Sequence, residues 1–181
     1  MLFRSSIVEI GPFLGRSTSA ILHGKKETVN LDVVDTFTGI PLNAKYTDLN
    51  GNIEAFDSLK KIAIETGDWE QSFRQCQGAD IEKMNVFKCS SKNFELKKPY
   101  DFSFIDGGHS FEEIYADLEK FSNPNGIIAG DDFYPTWPDV TRAVNMSRLK
   151  KYNTLVVPRR SKIWIIVPNN EYWIQCVKEI I

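Results

Sequence analysis

Two apolar runs, Asp101 to Ile105 and Gly126 to Ala129, each lead into carboxylates, and the stretch between them carries Phe111, Ile114, Tyr115, Leu118 and Phe121 at helical spacing. Strand, helix, strand in this order is the pattern of a crossover joining two parallel neighbours. Asp106 follows the first run; Asp131 and Asp132 follow the second. Three acids then converge at the carboxyl edge of a sheet, where ligands bind in open α/β folds. Crowded carboxylates repel unless a cation sits among them, so a divalent-metal site in a small-molecule enzyme is the expectation. As a lone acid, Asp106 would read as a turn former; the adjacent pair after a buried strand does not fit that role.

The same alternation runs through the rest of the chain. Ser6 to Ile10 reads as a strand stopped by Gly11 and Pro12, Arg16 to His23 as a helix, and Thr28 to Val34 as a second strand with Asp35 at its end. Asn85 to Lys88 is a short third strand, and the runs 101–105 and 126–130 are the fourth and fifth. Pro138 to Leu149 reads as a helix with proline in its first turn. The strands Asn153 to Val157 and Lys162 to Val167 follow, antiparallel because their connection is short, and Glu171 to Ile181 reads as an amphipathic helix. The predicted fold is α/β, a doubly wound, Rossmann-like, mostly parallel seven-stranded sheet with an antiparallel edge strand and helices on both faces. Residues 36–84 are polar and broken by Gly39, Pro41, Gly51, Gly67 and Gly78, with helices expected near 53–66 and 69–77. They read as a cap insertion within a single domain spanning 1–181.

A chain of 181 residues fits one domain, able to bury roughly 70% of the surface its unfolded form exposes. A net charge of −2, with acids and bases interspersed, provides no basic stripe. Nucleic acid and anionic membrane are therefore not the expected partners, and a small molecule is. Cys76, Cys89 and Cys176 are odd in number and lack CxxC spacing, which predicts free thiols in a reducing compartment. No apolar run has membrane-spanning length and no leader pattern opens the chain, so the cytoplasm is the expected location. The first strand starts almost at the first residue, with no helix expected ahead of it.

Glu9-Ile10-Gly11-Pro12-Phe13-Leu14-Gly15-Arg16-Ser17-Thr18 puts two glycines at a strand-to-helix turn. Glycine lets the backbone approach a ligand, and the helix N-terminus beyond it favours an anion. Asp35 lies 20 residues after Gly15, at the end of the next strand, where a carboxylate can accept both hydrogen bonds of a ribose diol. Taken singly, the glycines permit a turn and Asp35 ends a strand; together they indicate a nucleotide-like ligand. Phe13 and Leu14 stand where a GxGxxG fingerprint needs room for a pyrophosphate, which favours a ribose-bearing ligand without one. A Rossmann-type dinucleotide-dependent oxidoreductase is the alternative reading.

VEIGPFLGRST, VVDTF, YDFSFIDGGHSFEEIYADL and GIIAGDDFYPTWPDVTRAV resemble, in order and spacing, the class I S-adenosylmethionine-dependent methyltransferases. Within that class they are similar to the branch of macrocin-type sugar O-methyltransferases and cephalosporin-hydroxylase-like proteins. The resemblance covers most of the chain except residues 36–84 and the tail. It implies that Glu9, Gly11 and Gly15 surround the methionine part of the cofactor, with Ser17 and Asp106 beside them, and that Asp35 holds the ribose. Ser90 stands where relatives often carry an acid beside the adenine. The resemblance also implies that Asp106, Asp131 and Asp132 bind a metal, Mg²⁺, and that the acceptor is a hydroxyl of a sugar or other small metabolite. In methyl transfer from a sulfonium, aligning the acceptor and deprotonating it is the main task. His109 or Asp106 would take the proton; alternatively His109 caps the helix at Ser110 or orients an aspartate. Phe37, Tyr134 and Trp137 are candidate walls of the acceptor pocket, and Trp164 is expected in the core. A homo-oligomer would cover a cofactor site that lacks a leading helix. A catalytically inactive cofactor-binding partner protein is the remaining alternative.

Overall fold

The computed structural model describes residues 5–39, 67–151, 153–159 and 161–178. Seven strands form one sheet: β1 (Ser6–Ile10), β2 (Asn30–Asp35), β3 (Asn85–Lys88), β4 (Phe102–Ile105), β5 (Ile127–Gly130), β6 (Thr154–Val156) and β7 (Trp164–Val167). The helices are α1 (Arg16–Gly24), α2 (Trp69–Gln77), α3 (Phe111–Phe121), α4 (Pro138–Lys151) and α5 (Glu171–Lys178), with a 3-10 helix at Gly78–Lys83. The helix expected near 53–66, and with it most of the cap insertion, lies outside the described residues; the one expected at 69–77 is α2.

Strand order is β3-β2-β1-β4-β5-β7-β6. β1 to β5 are mutually parallel where they pair, and β7 runs antiparallel to both β5 and β6. The mostly parallel, doubly wound architecture is as read from the sequence. The structure adds that antiparallel β7 inserts between β5 and β6, so that β6 forms the edge. Winding proceeds outward from β1 to β3 on one side and from β4 to β6 and β7 on the other. The switch therefore falls between β1 and β4, and a crevice opens at their carboxyl ends.

Both faces of this sheet are covered, which is why its strands are near-continuous apolar runs. Val8, Ile10, Val34, Ile105, Ile128 and Ile166 pack with Ile114, Leu118 and Phe121 of α3 and with Val140, Ala143 and Val144 of α4. On the other face Leu31 and Val33 meet Phe37, Phe73 and Met84, with Ile21 and Leu22 of α1 alongside. Trp164 is fully buried, as expected.

Helix α3 starts sharply because Ser110 and Glu113 form a reciprocal capping box. Its buried Ile114, Leu118 and Phe121 recur at i, i+4 and i+7, one face of a helix. Helix α4 begins at Pro138, whose missing N–H is not needed there, and carries Arg148, Lys150 and Lys151 in its last turn, where positive charge suits the helix dipole. The three cysteines are free thiols. No helix among the described residues is long and apolar enough to cross a membrane.

Candidate functional site

The glycine turn after β1 is held from below by Glu9. This side chain is fully buried, and its carboxylate accepts hydrogen bonds from the hydroxyls of Ser17 and of Thr18, the latter at 2.6 Å. Burial raises the Glu9 pKa above the usual carboxylate range, and the two hydroxyls oppose that shift. Glu9 and Ser17 thus tie β1 to the first turn of α1. Neither lines the cavity above the turn.

The two glycines serve different ends. Gly11 has φ +78°, and a Cβ there would meet the Asp106 carbonyl carbon and the Gly107 Cα at 2.6 Å, so only glycine lets the loops after β1 and β4 touch. Gly15 also has positive φ, but its crowding comes from Gln77 and Phe73 of α2. Gln77 Nε2 donates to the Gly15 carbonyl at 3.1 Å. Gly15 thus packs against α2 and is not among the residues that line the cavity.

A cavity of about 550 Å³ opens at the carboxyl ends of the central strands. It brings together Gly11, Asp35, Ser90, Asp106 and His109 from four separate loops or strand ends. Asp35 closes β2, and its Oδ1 accepts the Phe37 N–H at 2.7 Å. Burial raises the Asp35 pKa, against the hydrogen bonds it accepts from Phe37, Phe13 and Thr36. Ser90 opens a tight turn in which its Oγ accepts the Asn93 N–H at 3.3 Å.

On the β4 and β5 side of the crevice the acids converge. Asp132 sits at φ +64°, a left-handed conformation that Asp tolerates better than most residues. Its N–H donates to Asp131 Oδ1 at 2.8 Å, and its Oδ2 accepts from His109 Nε2 at 2.7 Å. His109 stacks on Trp137, with ring centroids 4.2 Å apart. Ser110 rather than His109 caps α3. One ligand atom each of Asp106, His109 and Asp132 lies within 4.8 Å of the others.

Two carboxylate oxygens and an imidazole suit a divalent ion. The convergent set contains His109 where the sequence suggested Asp131. The Asp131 backbone carbonyl accepts the Trp164 indole N–H at 2.9 Å, its carboxylate stays close enough to Asp106 to raise that group's pKa, and the residue also lines a groove with Asp106 and Lys162.

Burial pushes the Asp106 carboxyl well above its ordinary range, and the negative charges of Asp131, Asp132 and Glu9 push the same way; Lys162 acts against them. Lys162 Nζ lies 3.8 Å from Asp132 Oδ1. A carboxyl held this way is suited to accept a proton, and a bound cation would favour its charged form.

Of the aromatic residues expected around an acceptor, Phe37 packs in the core against Phe73 and Tyr134 is 43% exposed; Trp137 touches the cluster through His109. Sequence reading missed Glu113 and Asp117, which both line the cavity from α3. Their signal was present: two acids four residues apart lie on one helix face, and Asp117 recurs with the buried positions. Burial raises the Asp117 pKa, while Ser91 and Lys120 lower it.

Comparison with known proteins identifies the family and the fold. No curated protein matches the sequence. A family model described as a methyltransferase domain matches residues 8–133, from β1 to just beyond Asp132. The O-methyltransferase NovP is 18% identical and superposes with a TM-score of 0.57, over 92% of this chain and 72% of its own. The O-methyltransferase from Bacillus cereus in complex with SAH is 16% identical, with a TM-score of 0.50 over 90% of this chain and 73% of its own. The N-methyltransferase NodS from Bradyrhizobium japonicum WM9 is 11% identical, with a TM-score of 0.50 over 90% and 83%. These likenesses share the fold and differ in the atom methylated. The matched segment contains the glycine turn, Asp35 and the whole acid cluster, and it is on this segment that the chain belongs to the methyltransferase-domain family.

Proposed function

We propose that the protein transfers a methyl group from S-adenosylmethionine to a hydroxyl of a small molecule, a sugar or similar metabolite, with a divalent cation such as Mg²⁺ at the acid cluster. The observation that carries this reading is the continuity of one cavity, from Asp35 and Ser90 at one end to Asp106 and His109 at the other. In this reading Asp35 holds the ribose hydroxyls, and Gly11, which lines the cavity where the loops after β1 and β4 touch, lies beside the methionine portion. Asp106, His109 and Asp132 fit the cation by donor type and spacing, with Asp131 beside them. When bound, the cofactor supplies an electrophilic methyl group and the cation lowers the pKa of an acceptor hydroxyl.

The chain's own part is to orient and to take a proton. Asp132 fixes the imidazole of His109 through Nε2, and Trp137 stacks on the ring, so its rotation is restricted. Asp106, buried and pressed by like charge, is the acceptor for the hydroxyl proton. The presence of this acid cluster, which a cation-free methyl transfer does not need, favours the macrocin-type branch.

Calorimetric titration of the purified protein with S-adenosylhomocysteine and, separately, NADH, with and without Mg²⁺, tests the reading. S-adenosylhomocysteine should bind and NADH should not. Binding of NADH alone would replace this reading with that of an oxidoreductase, and binding of neither would leave a protein without this cofactor.

A further inference from the structure

Four acidic side chains line the cavity: Asp35, Asp106, Glu113 and Asp117. Three of them are committed elsewhere. Asp35 closes β2, and the proposed function assigns it the ribose. Asp106 belongs to the cluster with His109 and Asp132. Glu113 Oε2 accepts the Ser110 hydroxyl at 2.6 Å and forms the capping box of α3. Asp117 has no such commitment. It is 5% exposed and accepts a hydrogen bond from Ser91, whereas a carboxylate has about four acceptor positions.

The position of Asp117 is specific. A Cβ on Gly107 would lie 4.0 Å from Asp117 Oδ2, so the carboxylate sits between the loop after β3 and the loop after β4. One turn further along α3, Lys120 Nζ donates to the carbonyls of Ser91 at 2.6 Å, Lys92 at 3.0 Å and Phe94 at 2.6 Å. Helix α3 thus holds the loop after β3 by its backbone and presents an acid beneath it. That loop has no carboxylate of its own between Lys88 and Asn93. With the ribose at Asp35 and the methyl donor directed towards Asp106, the base of a bound nucleoside falls at this remaining end of the cavity.

We propose that Asp117 is the residue that recognises the base, accepting a hydrogen bond from the 6-amino group of adenine and so selecting adenosyl over 6-oxo compounds. The inference rests on the cofactor reading above and adds a specificity-determining residue to it. A 6-amino group brings a second donor to a buried carboxylate that Ser91 leaves under-used. A 6-oxo purine puts an acceptor against that carboxylate instead, so the oxo group finds no donor there and the facing oxygens repel.

The test is calorimetric binding of S-adenosylhomocysteine and its 6-oxo analogue S-inosylhomocysteine to the wild type, D117N and E113Q. The wild type should prefer the adenosyl compound by about tenfold or more. D117N, whose amide can donate to a 6-oxo group, should bring the ratio to about one or reverse it, while E113Q keeps the wild-type ratio. Equal binding of the two compounds by the wild type overturns the proposal even if D117N does not fold. An unchanged ratio in D117N overturns it as well. Failure of both compounds to bind the wild type overturns it together with the reading on which it rests.

Discussion

Replacing Asp106 by Asn should make the metal-free protein more stable. One oxygen of Asp106 lies within 4.8 Å of one of Asp132. Two unit charges at that distance repel by about 0.9 kcal/mol in a water-like dielectric and about 3.5 kcal/mol at an effective dielectric near 20. Burial of the charged carboxylate, the largest influence on it, adds to this, as do the charges of Asp131 and Glu9, and Lys162 offsets part. The expected gain is about 1 to 2 kcal/mol, which for a chain of this size raises the melting temperature by about 2 to 8 °C. The assay is thermal unfolding followed by circular dichroism in EDTA at pH 7.5, comparing D106N with the wild type.

The pH dependence has a definite sign. The folded state holds the Asp106 pKa above its unfolded value of about 3.9. The wild type therefore loses stability as pH rises from the unfolded towards the folded pKa, and recovers it as pH falls back through that window. The advantage of D106N should shrink on acidification and reach a plateau above the folded pKa. A variant less stable than the wild type at pH 7.5, or an advantage independent of pH, would refute the repulsion argument. The same substitution should abolish methyl transfer, separating stability from function at one residue.

Two further substitutions test the scaffold of the site. Gly11→Ala should lower the melting temperature by at least about 4 °C, since left-handed backbone costs about 1 to 2 kcal/mol and the new Cβ would overlap the backbone of Asp106 and Gly107. A variant that melts like the wild type would show that the two loops are not in contact. Ser110→Ala removes the cap of α3; it should cost about 1 kcal/mol and leave S-adenosylhomocysteine affinity unchanged, both measurable on one preparation.

Much of the site was legible in the chain because parallel strands all end at the same edge. Once 101–105 and 126–129 are read as parallel neighbours, Asp106 and the Asp131-Asp132 pair must approach one another, and the register of Ile105 with Gly130 brings them there. Asp35 followed from the same logic on the other side of β1. What sequence could not supply was the direction of individual side chains. The left-handed backbone at Asp132, from which its carboxylate meets His109, is set by its surroundings. His109 carried open alternatives, and its bond to Asp132 requires two loops from different strands. Gly11 and Gly15 look alike in sequence, yet one is crowded by the loop after β4 and the other by a helix. The helix that approaches Gly15 is α2, more than 50 residues away in sequence.

The sequence by itself determined the alternation of elements, the parallel winding and the edge at which ligands would meet carboxylates. Hydrophobic period, turn residues and crossover handedness are local properties of the chain. Tertiary structure alone decided that β7 enters between β5 and β6, that Glu9 and Ser17 bind each other beneath the turn, and that Asp117 reaches the cavity. Each of these is a contact between residues from different elements, settled by packing and by the cost of burying a polar group without a partner.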